Sequence, residues 1–189
     1  MEAFADRLFD AVRRRGNACV VGLDPVLEYL PGDFVQAQGH DGVVGLEPAS
    51  GAQLVERYCL MVLDVVAELV PAVKPQMAYF ERFGSHGMRA LEVCVQAARE
   101  RGLLVLLDGK RGDIGSTSTA YAEAYLARAP ARPWEVDCLT LNPYLGRDSI
   151  EPFVRVANDA GKGLFVCVRT SNPGAGVVQD LVADGSRVH

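Results

Sequence analysis

Two hydrophobic rhythms alternate along the chain. One recurs every three to four residues, as in residues 4–15, where Phe4, Leu8, Phe9 and Val12 share one side of a helix. The other is a short, unbroken apolar run. Residues 19–23 form the first such run and predict a buried strand. Residues 31–51 are rich in Gly, Pro and Asp with no period, and read as a loop or lid. A long helix is predicted over 54–70, a second strand over 72–74, and a helix over 86–101 that stops at Gly102. A strand over 103–107, a helix over 117–128, a strand over 136–141, a helix over 149–160 and a fifth strand over 164–168 follow. Internal repeats and low-complexity tracts are absent from the sequence.

Apolar strands alternating with helices point to parallel strands covered on both faces. Each predicted strand delivers polar residues at its C-terminal end. These are Asp24-Pro25, then Lys74-Pro75, then Asp108, Lys110, Arg111 and Asp113, then Asn142-Pro143, then Arg169 to Asn172. In a (β/α)8 barrel that rim is the active-site face. A doubly wound sheet would gather such groups at its switch point instead. Neither GxGxxG nor GxxxxGK[ST] occurs. The predicted fold class is therefore α/β, a (β/α)8 TIM barrel, as a single domain over residues 1–189. A barrel of this type needs ~250 residues, whereas the sequence has 189. About five of the eight strands are expected here, without the C-terminal ones.

Composition narrows the partners. The net charge is −5 and no basic patch stands out, which argues against nucleic acid and anionic membrane. The apolar runs are too short for a membrane span. The N-terminal stretch is charged from the start and lacks an apolar signal core, so a cytoplasmic home is expected. Five cysteines, none in a CxxC pair, are expected to be buried reduced thiols rather than a disulfide framework or a zinc site. His40, His86 and His189 do not cluster at ligand spacing, and no metal site is expected.

The segment DGKRGDIGSTSTAYA carries the candidate chemistry. It sets Asp108, Lys110, Arg111 and Asp113 directly after a buried strand. Residues two apart in an extended segment point the same way, so Asp108 and Lys110 can share a face. Gly109, Gly112 and Gly115 allow tight turns or close approach to a ligand. Lys74 arrives from the neighbouring strand. Acids and amines in a partly buried mouth hold each other ionised. An ordinary ion-pair network sealing a barrel end is the plain alternative, and a structural salt bridge is the expected role of Arg111.

These residues resemble the orotidine 5′-phosphate decarboxylase family, in its bacterial form with the longer KRGDI motif. GLDP at 22–25, VKPQMAYFE at 73–81, TLNPYLG at 140–146 and RTSNPGA at 169–175 agree with it in order. The resemblance implies decarboxylation of orotidine 5′-phosphate to uridine 5′-phosphate, without a cofactor. It implies that Lys110 protonates C6 of the pyrimidine as carbon dioxide leaves. Asp108 would stand against the substrate carboxylate, and Lys74 would hold Asp108 and a ribose hydroxyl. Asp113 would be donated across a homodimer interface to the neighbouring site, accompanied by Thr117 near the ribose. Thr117 reads equally well as a helix-cap or first-turn residue. Asp24 would accept from a ribose hydroxyl. Ser171, with Thr170 as the alternative, would contact the pyrimidine amide. In this family a glutamine and an arginine after later strands grip the phosphate, and no gripper can be assigned here.

The chemistry is self-consistent. Decarboxylation at an sp² carbon leaves electrons with no neighbouring sink, and no cofactor motif is present to accept them. A preorganised ammonium is the remaining stabiliser. Acidic neighbours keep Lys110 charged, unlike a Schiff-base lysine, which needs a depressed pKa. Two alternatives stand beside this reading. One is a metal-dependent barrel of the hexulose-phosphate synthase or ketogulonate-phosphate decarboxylase type. The other is an inactive fragment with apolar edge strands.

Overall fold

The structure is a computed structural model that describes residues 2–128 and 135–189. Five strands make one parallel sheet: β1 (Val20–Leu23), β2 (Ala72–Pro75), β3 (Leu104–Arg111), β4 (Cys138–Leu141) and β5 (Gly163–Val166). They lie side by side in chain order, with no reversal. That order is what a barrel requires and what a doubly wound sheet lacks. The main helices are α1 (Phe4–Arg15), α2 (Gly32–Ala37), α3 (Pro48–Val66), α4 (Ala78–Glu81), α5 (Gly84–Glu100), α6 (Gly115–Leu126), α7 (Arg147–Ala160) and α8 (Gly176–Gln179). A short antiparallel hairpin, β6 (Val182–Ala183) and β7 (Ser186–Arg187), lies near the C-terminal end. The architecture is thus an incomplete (β/α)8 barrel.

Strand alternation divides the packing between two faces. One face of the sheet presents Val73, Val105, Leu107, Leu139 and Leu141, all fully buried. They pack with Leu54, Leu63, Leu91 and Phe153 from the helices. The opposite face begins with Ala72, Leu106 and Cys138, which α1 covers with Phe4. A Cβ on Gly163 would fall inside the Phe4 ring, so glycine is what lets α1 sit against β5. One layer further along, this same face turns polar and becomes the site.

An ionic cluster ties α1 to the N-terminal ends of the strands. Arg7 donates to Asp137 at 2.5 Å and to the Gly161 carbonyl at 3.1 Å. Asp137 also accepts from the Val105 N–H at 3.0 Å. The buried Lys162 ammonium stands 3.6 Å from Glu135 and 4.0 Å from Asp137. Burial pushes the Lys162 pKa down, against the pull of both acids.

The structure departs from the sequence reading in several places. Residues 31–51 are not one loop, since they hold α2 and the start of α3, with Pro48 in its first turn. Proline suits that position because its missing N–H would have no helical partner there. Strand β3 runs on to Arg111, so Asp108 and Lys110 belong to the strand rather than follow it. Cys59, Cys94 and Cys138 are buried, but Cys19 is exposed and Cys167 half-buried. Cys19 precedes β1, an edge strand with a neighbour on one side only. Among the described residues, no helix is long and apolar enough to cross a membrane.

Candidate active site

Asp108 is the centre of the polar layer. Its residue is 6% exposed, and a carboxylate at that depth needs partners. It has four. Oδ1 accepts from the Lys110 ammonium at 2.7 Å and from the Thr140 hydroxyl at 2.9 Å. Oδ2 accepts from the Lys74 ammonium at 2.8 Å and from the Gln76 amide at 3.0 Å. A carboxylate offers about four lone-pair sites, so Asp108 is saturated. Burial alone would raise its pKa. The hydrogen bonds from Lys110, Lys74 and Thr140, with the Lys74 charge, outweigh burial and hold it at about 2. One carboxylate between two ammonium groups leaves the trio with a net charge of +1. Lys74 and Lys110 are respectively 35% and 51% exposed at the side chain, so both are partly open to solvent. The trio thus offers cationic donors to an anion and no free acceptor.

Local geometry explains how adjacent strands deliver these groups. Lys74 lies near the C-terminal end of β2 and Asp108 midway along β3, which pairs with β2 in parallel and bridges to Gln76 at Asp108. Between β3 and β4 the register slips: Leu107 pairs with Leu139, but Arg111 pairs with Leu141. Between these points residues 108–110 of β3 stand against Thr140 alone on β4, which makes a bulge in β3. Lys110 takes φ +44°, the left-handed region that a side chain rarely adopts. Just beyond, Gly112 passes so close to the Asn142 carbonyl that a Cβ would lie 2.6 Å from its oxygen. Arg111 turns away from the trio, pairs with Glu81 and lies over the Tyr121 and Tyr125 rings. That is the structural role expected for it.

The remaining candidates are placed less centrally. Asp24 lies just past β1 and is exposed. Asp113 is half-buried and accepts from the Ile114 N–H at 2.8 Å, while its carbonyl accepts from the Ser118 hydroxyl. Among the described residues, the Lys110 ammonium pairs with Asp108 and not with Asp113. Thr117 is exposed in the first turn of α6. Thr170 lines a cleft of about 570 Å³ together with Lys110, Asn142, Tyr144, Gln179 and His189. Its hydroxyl accepts from the Gln179 amide at 2.9 Å. Ser171 is exposed and does not line that cleft.

Sequence reasoning missed two members of the layer, Gln76 and Thr140. Thr140 had a visible signal, being a hydroxyl inside the otherwise apolar strand CLTL. A polar atom in such a run must find a partner. Gln76 lies two positions past Lys74 in an extended segment, the spacing that returns a side chain to the same face.

A parallel β/α sheet in chain order, with a lysine-clamped carboxylate at the C-terminal mouth, defines this chain as a barrel protein of the lysine–aspartate type. The chain belongs to the orotidine 5′-phosphate decarboxylase / HUMPS family, whose model matches residues 21–188. It is 49% identical over 191 residues to the orotidine 5′-phosphate decarboxylase of Rhodopirellula baltica, covering 100% of this chain and 62% of that protein. A crystal structure from Streptomyces avermitilis carrying the same enzyme name superposes with a TM-score of 0.81 at 42% identity, over 99% of this chain and 60% of that one. The Leishmania donovani OMP decarboxylase structure matches with a TM-score of 0.72 at 30% identity, over 98% and 61%. The chain therefore spans about three-fifths of the length of these relatives.

Proposed function

We propose that this chain carries the lysine–aspartate centre of an orotidine 5′-phosphate decarboxylase, which forms uridine 5′-phosphate. One observation carries the reading: the buried Asp108 carboxylate is clamped between the Lys74 and Lys110 ammonium groups at 2.8 and 2.7 Å. In the reaction, the bond between pyrimidine C6 and the carboxylate carbon breaks heterolytically. Carbon dioxide departs and the electron pair stays on C6. The Lys110 ammonium gives its proton to C6, and solvent reprotonates the resulting amine. The fixed ammonium stabilises charge as it develops, and because Asp108 already orients it, little reorganisation is needed. Asp108 pairs with the Lys110 ammonium at 2.7 Å and sets a negative charge near the departing carboxylate.

Lys74 holds Asp108 and reaches toward a ribose hydroxyl. Asp24 and Thr117 serve the ribose, and Thr170 or Ser171 the pyrimidine amide. Asp113, unpaired with the Lys110 of its own chain, is shared with the neighbouring site of a homodimer. The enzyme works in the cytoplasm, where five free thiols suit a reducing compartment. The metal-dependent sugar-phosphate reading is weaker, because all four partners of Asp108 are donors and two are cations. Those partners repel a dication at Asp108.

Turnover of orotidine 5′-phosphate, followed by ultraviolet absorbance, tests the proposal. In a version extended to the length of the relatives, Lys110→Ala is expected to abolish decarboxylation while appreciable nucleotide binding remains. Normal turnover by that variant refutes the mechanism. A sugar-phosphate activity lost on chelation would favour the metal-dependent alternative.

A further inference from the structure

Thr140 is the one β4 residue that faces the bulge in β3. Its neighbours Leu139 and Leu141 hold the two register points, Leu107 and Arg111, on either side. Between these points the ordinary ladder is broken, and the Thr140 hydroxyl takes its place. It accepts from the Lys110 backbone N–H at 2.9 Å and donates to Asp108 Oδ1 at 2.9 Å. One oxygen thereby joins the main chain of the proton donor to the carboxylate that orients the donor's ammonium. The main chain of Thr140 is held independently, paired with Phe165 of β5.

Lys110 needs such a hold. Its φ of +44° costs a non-glycine residue roughly 1 kcal/mol or more, and the conformation persists only where surroundings enforce it. Without the hydroxyl, the Lys110 N–H loses its partner and the segment can relax toward ordinary strand geometry. That relaxation would swing the lysine side chain away from the direction the bulge gives it.

We infer that Thr140 is a positioning residue, whose hydroxyl fixes the strained backbone of Lys110 and so aims its ammonium at the reacting carbon. The inference rests on the decarboxylase reading for its kinetic consequences. Its structural core, the hydroxyl-to-amide bond, stands apart from that reading.

Thr140→Val keeps the shape and removes the hydroxyl, whereas Thr140→Ser keeps the hydroxyl. Misplacing a reacting group by about 1 Å costs about 100-fold. Thr140→Val is therefore expected to lower kcat about 10- to 100-fold with KM changed less than about twofold. Thr140→Ser is expected to recover the rate to within about threefold. A second readout is the amide resonance of Lys110 and its hydrogen-exchange protection. Both should change in Thr140→Val and return in Thr140→Ser. Thr140→Ala replaces Thr140→Val should the latter not fold. Undiminished kcat in Thr140→Val overturns the inference, as does a Thr140→Ser variant as slow as Thr140→Val. If the unaltered chain shows no decarboxylation, the functional proposal fails for this chain. The amide readout then decides alone: an unmoved Lys110 resonance in Thr140→Val refutes the positioning role, and a moved and restored one upholds it.

Discussion

Replacing Asp108 by asparagine removes one charge from the clamp and leaves its shape nearly intact. The carboxyl is held at about 2 against an ordinary value of 3.8. At about 1.4 kcal/mol for each tenfold change in proton affinity, its ionised form is favoured in the fold by about 2 kcal/mol. Asparagine mimics the protonated form, so Asp108→Asn is expected to cost about 2 kcal/mol of folding stability at neutral pH. The sign of the pH dependence follows from the depressed value. A lowered carboxylate pKa contributes fully above the unfolded value near 4, and the contribution fades as pH falls through about 2. About half of the difference should remain at pH 3. Urea unfolding of both proteins at pH 7 and pH 3, followed by circular dichroism, measures it. An equal gap at both pH values would refute the reasoning, because the cost would then come from packing rather than ionisation. A variant as stable as the parent at pH 7 would refute it too.

Other perturbations test other parts of the molecule. Asp137→Ala leaves the Val105 N–H without its side-chain acceptor and takes one of two partners from each of Arg7 and Lys162, and thermal or urea unfolding should show a loss of about 3 kcal/mol. Gly163→Ala drives a methyl into the Phe4 ring and should cost about 1–3 kcal/mol. Combined with Phe4→Ala, the two losses should be strongly non-additive in a double-mutant cycle. Arg111→Met removes the Glu81 pair and the guanidinium over Tyr121 and Tyr125. It should lower the melting temperature while the chain's affinity for the nucleotide, read by calorimetry, stays within about threefold.

The barrel order and the lysine–aspartate centre were visible in the sequence for a simple physical reason. Buried parallel strands are apolar, so the charged residues that close their apolar runs, Lys74 and Asp108, stand out. Lys110 followed by the period-two rule, but it reaches Asp108 through a bulge and a positive φ that the letter K does not reveal. Thr140 and Gln76 were missed because their importance lies in what they face across a strand gap, and that depends on register. The stretch at 31–51 was misread because short helices such as α2 lack enough turns to show a period. Phe4 looked like one more apolar position on an outer helix, and only the tertiary fold shows it covering the inner face of the sheet.

The seat of α1 has a consequence for how the chain reaches its native state. Arg7 bonds to Asp137 and to Gly161, 130 and 154 residues away. At ordinary synthesis rates the ribosome needs on the order of ten seconds to deliver those partners after α1 has emerged. Through that interval Phe4 and Leu8 lack Cys138 and Gly163, part of the surface on which α1 seats, and the loop to be closed is long. Such non-local closure slows folding. A helix made well before its ionic partners is therefore among the last to settle, and until then its apolar side is available to a chaperone.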